Sequence, residues 1–347
     1  MADQAPSPSS KRRRIEHLSL ADNPLEGKFR REPEDTVQIS TWNVAGLATC
    51  NLEKWNFGFR RYVEAEDPHI ISITEVKQTN PEVYFEQAED FAFLRERYPY
   101  RYWSYSSAIV SKFKPVAPPI FGFPDGTEFD KDEGRERVVT LEFKECYVLG
   151  AYVPNSGHHF QYLDRRRRWN ADFEPFIRAL DAKKPVIWTG DFNVVRPYTT
   201  PRPPDVPANE WHSPDLQWQA VNWRKLAGTH EDEIKAHERL LGPQEELLFP
   251  RRPGRKFVDV WRLIKGEGER RYSHTSKKYG GFRIDGFIVS ERLLPRVRNC
   301  YIRYSFKKAF WPERDVVGRG APSDHIPVWL SLEMERGDFE DVPSGET

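Results

Sequence analysis

Short apolar runs, separated by turn residues, recur through the middle of the chain: VQISTW, HIISITEV, AIVSKF, RVVTLEF, YVLGAYV, PVIWTGDF, KFVDVWRL, FRIDGFIVS, NCYIRYSF and HIPVWLSL. Their length and their content of β-branched and aromatic residues read as β-strands. Apolar residues at three- to four-residue spacing predict helices over about 53–66, 164–181 and 232–247. Many strands with few helices, and no regular alternation between them, predict an α/β fold. The expected form is a four-layer sandwich, with two largely antiparallel, mixed β-sheets packed face to face and flanked by helices.

The flanks read differently. Residues 1–35 are poor in apolar side chains and rich in Pro, Ser and charge, which predicts a disordered arm. Inside it, Lys11 to Arg14 form a basic cluster of the kind that directs nuclear import, so the nucleus is the expected location. The Pro-rich stretch 197–214 lacks periodicity and reads as a surface insertion, and 335–347 as an acidic, flexible tail. The folded unit expected is therefore 36–334.

Composition narrows the chemistry. With 347 residues and 38% apolar content the chain can bury a substantial core. It has no run of about 18 apolar residues and no signal-peptide core, so a soluble intracellular protein without membrane contact is expected. The cysteines Cys50, Cys146 and Cys300 are isolated and odd in number, which argues against a disulfide framework or a CxxC zinc site. Any metal must be held by oxygen or imidazole. The 53 basic and 53 acidic residues cancel, so a nucleic-acid surface would need local patches. Candidates are Arg165 to Arg168, Arg251-Arg252 with Arg255-Lys256, and Arg270-Arg271 with Lys277-Lys278. Each is equally readable as solvated surface charge.

Several strand-like runs end abruptly in an acid or amide: Asn43, Glu75, Asp191 with Asn193, Asp285, and Asp324 beside His325. Taken singly, each has an ordinary reading: Asn43 and Asp191 as turn residues, Asp285 as the partner of Arg283, the Ser-Asp before His325 as a turn. Together they suit a hard cation. Carboxylates and amides without Cys or paired His spacing fit Mg2+, with Mn2+ as an alternative, and one His remains for a phosphoryl oxygen.

In order and approximate spacing, ISTWNVAGL, IISITEVKQ, AYVPNSG, RRRRW, VIWTGDFNVV, FRIDGFIVS and PSDHIPV resemble exonuclease III-type apurinic/apyrimidinic endonucleases, within the endonuclease/exonuclease/phosphatase superfamily. The resemblance spans about 36–334. It implies Glu75 as principal metal ligand with Asn43 beside it, and Asp324 at a second metal position. Asp191 would align or deprotonate the attacking water, Asn193 would hold water or phosphate, and His325, oriented by Asp285, would meet a non-bridging oxygen. Tyr152 and Asn155 match the phosphate-contacting loop, with Arg135, His158 and Arg283 as further phosphate or DNA contacts. Phe282, Ile284 and His274 fall at the abasic pocket.

The chain departs from the family pattern at Ala45, Ala48, Leu226 and His274, and the loop before AIVSKF is short. These departures touch DNA contacts and the pocket, leaving the metal and His positions intact. The expected activity is a Mg2+-dependent incision of the phosphodiester 5′ to an abasic site in duplex DNA during base-excision repair, by a monomer. The alternatives are a 3′–5′ exonuclease or 3′-phosphodiesterase acting on blocked ends or RNA, and a catalytically weakened DNA-binding adaptor.

Overall fold

The computed structural model describes residues 36–55, 57–124, 129, 131–195, 226–241, 257–266, 271–276, 280–303 and 323–340. The arm, the 197–214 insertion and the basic pair Arg251-Arg252 lie outside these residues.

Two six-stranded sheets carry the fold. The first runs β13-β14-β1-β2-β4-β3, with β1 Val37–Asn43, β2 Ile70–Thr74, β3 Tyr100–Trp103, β4 Ser107–Ser111, β13 Val297–Ile302 and β14 Val328–Leu332. The second runs β5-β6-β7-β8-β12-β9, with β5 Ile120–Phe121, β6 Val138–Glu142, β7 Tyr147–Tyr152, β8 Val186–Asp191, β9 Phe257–Asp259 and β12 Asp285–Ser290. A hairpin of β10 His274–Ser276 and β11 Gly280–Phe282 stands apart. The helices are α1 Leu47–Cys50, α2 Gly58–Glu66, α3 Pro81–Gln87, α4 Ala92–Arg97, α5 Lys131–Arg137, α6 Leu163–Lys183, α7 Glu231–Leu241, α8 Val260–Lys265 and α9 Arg336–Phe339.

The apolar runs are continuous rather than alternating because each sheet is covered on both faces. Ile39, Ile70 and Ile109 of the first sheet meet Val148, Ile187, Phe287 and Val289 of the second in a core between the sheets. Their neighbours in sequence point the other way. Trp42, Ile71 and Ile73 pack against Phe59 and Tyr62 of α2, while Leu149 and Trp188 pack against Trp169 and Phe173 of α6. Period-two alternation therefore yields four layers, helix, sheet, sheet and helix. Gly150 permits the sheets to close, since a Cβ there would stand 2.6 Å from the Ser72 hydroxyl.

Each sheet contains one parallel pair, β1 with β2 and β7 with β8. Their other neighbours run antiparallel. Parallel partners end on the same edge, so the last residues of β1, β2, β7 and β8 are delivered together. The antiparallel β12 starts at that edge with Asp285 paired to Asp191, and β14 starts just after His325.

Two expectations change here. KFVDVWRL is half helix: the Asp259 side chain accepts from the Arg262 N–H and caps α8. The flexible tail does not begin at 335, because α9 follows and Phe339 is fully buried against Phe113 and Phe143. Among the described residues no helix is long and apolar enough to cross a membrane. If residues 336–340 belong to the fold, Phe339→Ala destabilises by roughly 3 kcal/mol through the cavity it leaves. A urea titration measures this, and an unmoved midpoint would mean that the segment is a free tail.

Candidate active site

The edge where the two parallel pairs end gathers one continuous polar network. Asn43, fully buried at the end of β1, donates from Nδ2 to Glu75 Oε1 at 3.2 Å and to Asp191 Oδ2 at 2.9 Å. Its Oδ1 accepts from the Ala45 N–H at 3.1 Å. In this structure the Asn43 oxygen serves the backbone, and its amide nitrogen clamps two carboxylates of different sheets. The Tyr152 hydroxyl donates to the same Glu75 oxygen at 2.8 Å.

Burial pushes the Glu75 carboxyl up, but the hydrogen bond and charge of Lys77, with the Tyr152 and Asn43 donors, outweigh it and hold the group below the ordinary carboxylate range. Lys77 is ion-paired with Oε2. A cation thus already meets an ionised, largely buried oxygen donor at this point. With Asp191 beside it and no thiolate near, this donor set fits a hard divalent ion. Burial, and next the charges of Glu75 and Asp191, raise Tyr152 well above its usual value, so it remains a phenol and a donor.

Asp191 is buried, with Oδ1 accepting from the Asn193 N–H at 2.9 Å. Burial and then the Asp285 charge push it up to about 8, against the pull of His325 and the Asn193 N–H. Asp285 in turn meets His325 Nδ1 at 2.7 Å, and both are out of solvent. Asp191, Asp285 and His325 present ligand atoms within 4.8 Å of one another. For His325 burial acts downward, yet the carboxylates of Asp285, Asp191 and Asp324 raise it to about 10.

The supporting contacts are local. The Ser323 hydroxyl donates to the Asn43 carbonyl at 2.6 Å and accepts from the His325 N–H at 3.0 Å, and the Trp42 indole donates to the His325 carbonyl at 3.1 Å. Ser273 Oγ accepts the Ile284 and Asp285 N–H groups. Arg166, 3% exposed, donates to the carbonyls of Pro154, Asn193 and Phe192 and so ties the loop after β7 to the loop after β8. Asn155 and Asn193 are linked side chain to side chain at 3.0 Å, and Asn193 also reaches the Val153 carbonyl. Gly190, at φ +130 with a Cβ position 2.1 Å from the Ala151 carbonyl oxygen, sets the bend that carries Asp191 into the network.

Several expected roles move. Arg283 is not a phosphate contact: its side chain is 7% exposed and salt-bridged to Asp259 at 3.0 Å, because the turn before β12 aims it at the α8 cap. Arg135 points to solvent from α5, whereas Arg137 turns inward, its guanidinium 4.8 Å above the Tyr152 ring and donating to the Tyr152 carbonyl. The Arg165 to Arg168 patch dissolves: Arg165 pairs with Glu133, Arg166 is buried, and Arg167 pairs with Asp164 and Asp232. His158 is exposed in a short turn against His159.

Asp324 is half-exposed and meets His274 Nε2 at 3.3 Å. His274 stacks on Phe282 with rings 5.9 Å apart, while Phe282 and Ile284 are each 8% exposed and offer little open wall. Leu226 sits in a turn joined to the Asn193 loop, where the Val195 N–H donates to the Gly228 carbonyl at 2.8 Å. Lys77 and Arg137 were not singled out from the sequence, and Arg166 entered only as part of a basic patch and Ser323 only as a turn residue, although each lies in or near a quoted motif.

Comparison with known proteins agrees with this geometry. The pattern of the Endonuclease/Exonuclease/phosphatase family matches residues 40–325, from β1 to His325 itself. The chain belongs to that family. It is similar to an exodeoxyribonuclease of Bacillus subtilis, 30% identical over 311 residues that cover 86% of this chain and 100% of that protein. It is also similar to a DNA-(apurinic or apyrimidinic site) endonuclease of Dictyostelium discoideum, 27% identical over 87% of this chain and 72% of the relative. An AP endonuclease structure from Archaeoglobus fulgidus superposes with TM-score 0.59 at 23% identity, covering 85% of this chain and 98% of that one, and shows the same fold. Family membership makes the network an active-site candidate rather than a structural ion cluster.

The Asp285–His325 pair gives a signed pH expectation. The folded pKa of His325 lies near 10 against an ordinary 6.5, so its stabilisation is complete below 6.5 and lost as pH rises through about 10. Asp285→Asn removes that window, returns His325 towards its ordinary range, and lowers stability at pH 7 by about 3 kcal/mol. NMR titration of the His325 ring and thermal melts at pH 6 to 10 check both parts.

Proposed function

We propose that this phosphodiester hydrolase of the endonuclease/exonuclease/phosphatase family incises duplex DNA 5′ to abasic sites with Mg2+, leaving a 3′-hydroxyl and a 5′-deoxyribose phosphate. The observation that carries the reading is the single hydrogen-bonded network joining Glu75, Asn43, Asp191 and Tyr152 across both sheets, with Asp285–His325 beside it.

Glu75, ionised and at the mouth, is the group that would hold the ion, which supplies charge neutralisation at the phosphoryl oxygens when bound. Burial and Asp285 raise Asp191 to about 8, so its ionised form is a base of suitable strength to accept a proton from the attacking water. The imidazolium of His325 meets a non-bridging oxygen through Nε2, since Nδ1 is held by Asp285. Tyr152, Asn193 and Arg137 add donors on the same side. Extruding an abasic nucleotide requires no unstacking of a base, which favours that lesion over intact DNA. Import to the nucleus through Lys11 to Arg14 and action as a monomer complete the proposal.

A second reading, processing of blocked 3′ ends, has one observation in its favour: the pocket position is occupied by a polar His274–Asp324 pair in place of a fully aromatic wall. A substrate panel separates the two. Abasic, intact and 3′-blocked duplexes are compared with and without chelator. The first reading expects chelator-sensitive incision of abasic duplex in excess over the other substrates. Glu75→Gln and His325→Ala should each lower the rate by about 100-fold or more; full activity in either refutes the site, and no turnover on any substrate leaves a DNA-binding adaptor.

A further inference from the structure

The mechanism above uses His325 and leaves its neighbour unexplained. His274 is brought over the active site by the β10–β11 hairpin, where it forms a β-bridge with His325. The two rings lie 4.7 Å apart, and Asp324 is near both. Asp324 Oδ2 is 3.3 Å from His274 Nε2, and Oδ1 is 3.9 Å from His325 Nε2. Ligand atoms of all three residues fall within 4.8 Å of one another.

We propose that His274, a position at which the chain departs from the family pattern, joins Asp324 and His325 in binding a borderline divalent cation, of which Zn2+ is the representative. Ligands of tetrahedral zinc sit about 2.0–2.2 Å from the ion and hence about 3.3 Å from one another. The two Asp324 contacts, at 3.3 and 3.9 Å, already approach that spacing. Two imidazoles and one carboxylate select transition ions over Mg2+, and they leave a fourth position for water or an anionic oxygen.

The orientation of the second ring is also suited to a metal. His325 Nδ1 is engaged by Asp285 at 2.7 Å, which leaves Nε2 facing Asp324, and a carboxylate behind a ligating imidazole fixes the ring and raises its basicity. His274 is steadied from its other side by the Phe282 ring, 5.9 Å away and tilted only 12°. Asp191, Asp285 and Asp324 together make the surroundings negative, which favours a dication.

The site itself does not depend on the nuclease reading. Its consequence does: His325 Nε2 cannot hold a metal and a phosphoryl oxygen together, so Zn2+ there competes with substrate. The test therefore uses no DNA. The full chain, free of Mg2+, is titrated with Zn2+ alone in competition with a chromophoric chelator. Wild-type protein should show a tight site that weakens more than about tenfold in His274→Phe, which keeps the ring on Phe282, and likewise in Asp324→Asn. Asp324 is half-exposed, so the second variant folds even where the first does not. Wild-type affinity in both variants overturns the proposal, as does loss of the site in His158→Ala/His159→Ala, which would place the ion on the exposed His pair.

Discussion

Asp191 and Asp285 face one another across the β8–β12 ladder, both withdrawn from water, and two carboxylates so placed cannot both ionise without compensation. The structure compensates with one imidazolium, two hydrogen-bond donors and whatever cation the site takes up. His325 neutralises Asp285, while Asn43 and the Asn193 N–H serve Asp191. Everything at this edge answers to that constraint. Asn43 gives its nitrogen to the carboxylates instead of its oxygen, and Lys77 leans onto Glu75. The excess of negative charge also explains how a buried histidine stays protonated: the carboxylates around it outweigh its desolvation.

The topology makes such a concentration of charge tolerable to the fold. The acids lie at strand ends, past the last apolar layer, so the four-layer core is complete without them. One parallel pair per sheet is enough to bring four C-terminal ends to one edge, and antiparallel neighbours supply Asp285 and His325 from their starts. The backbone at this edge is locally unfavourable. Ala45, Glu75, Lys77 and Asn193 all adopt positive φ, between 46° and 56°. Non-glycine residues take that conformation where surrounding contacts over-determine it. Here the hydrogen bonds of Asn43, Asn193 and Arg166 do so, holding donors and acceptors in place before any substrate arrives.

Strands were legible because burial on both faces writes continuous apolar runs, and the acid or amide ending each run marked the site edge before any coordinates. What the sequence hid were choices between near neighbours. Arg135 and Arg137 are two residues apart on one short helix, and only the packing of Tyr152 decides which guanidinium turns inward. Arg283 is adjacent to Phe282 and Ile284, yet the turn before β12 sends it to Asp259. In the run Arg165 to Arg168 four identical charges divide into a buried carbonyl clamp, two ion-paired surface groups and an exposed one, according to the face of α6 on which each falls. A basic run in a helix is thus a poor guide to a nucleic-acid surface, because helical periodicity disperses it. Asn43 illustrates a further limit: which end of an amide meets a carboxylate depends on where the next backbone N–H lies, here that of Ala45.

His274 shows how a departure from family pattern can add chemistry as well as remove it. An aromatic hydrocarbon wall would offer the Asp324 carboxylate no polar partner. An imidazole in its place keeps the stacking on Phe282 but adds a nitrogen 3.3 Å from the carboxylate. His274 therefore makes this edge polar, and it does so against the one imidazole on which phosphoryl binding is proposed to rest. Any ligand that His274 and Asp324 recruit, a metal ion or an anionic 3′ terminus, meets His325 as its third neighbour. On the proposed readings, choice of substrate and choice of metal are for that reason coupled at this edge.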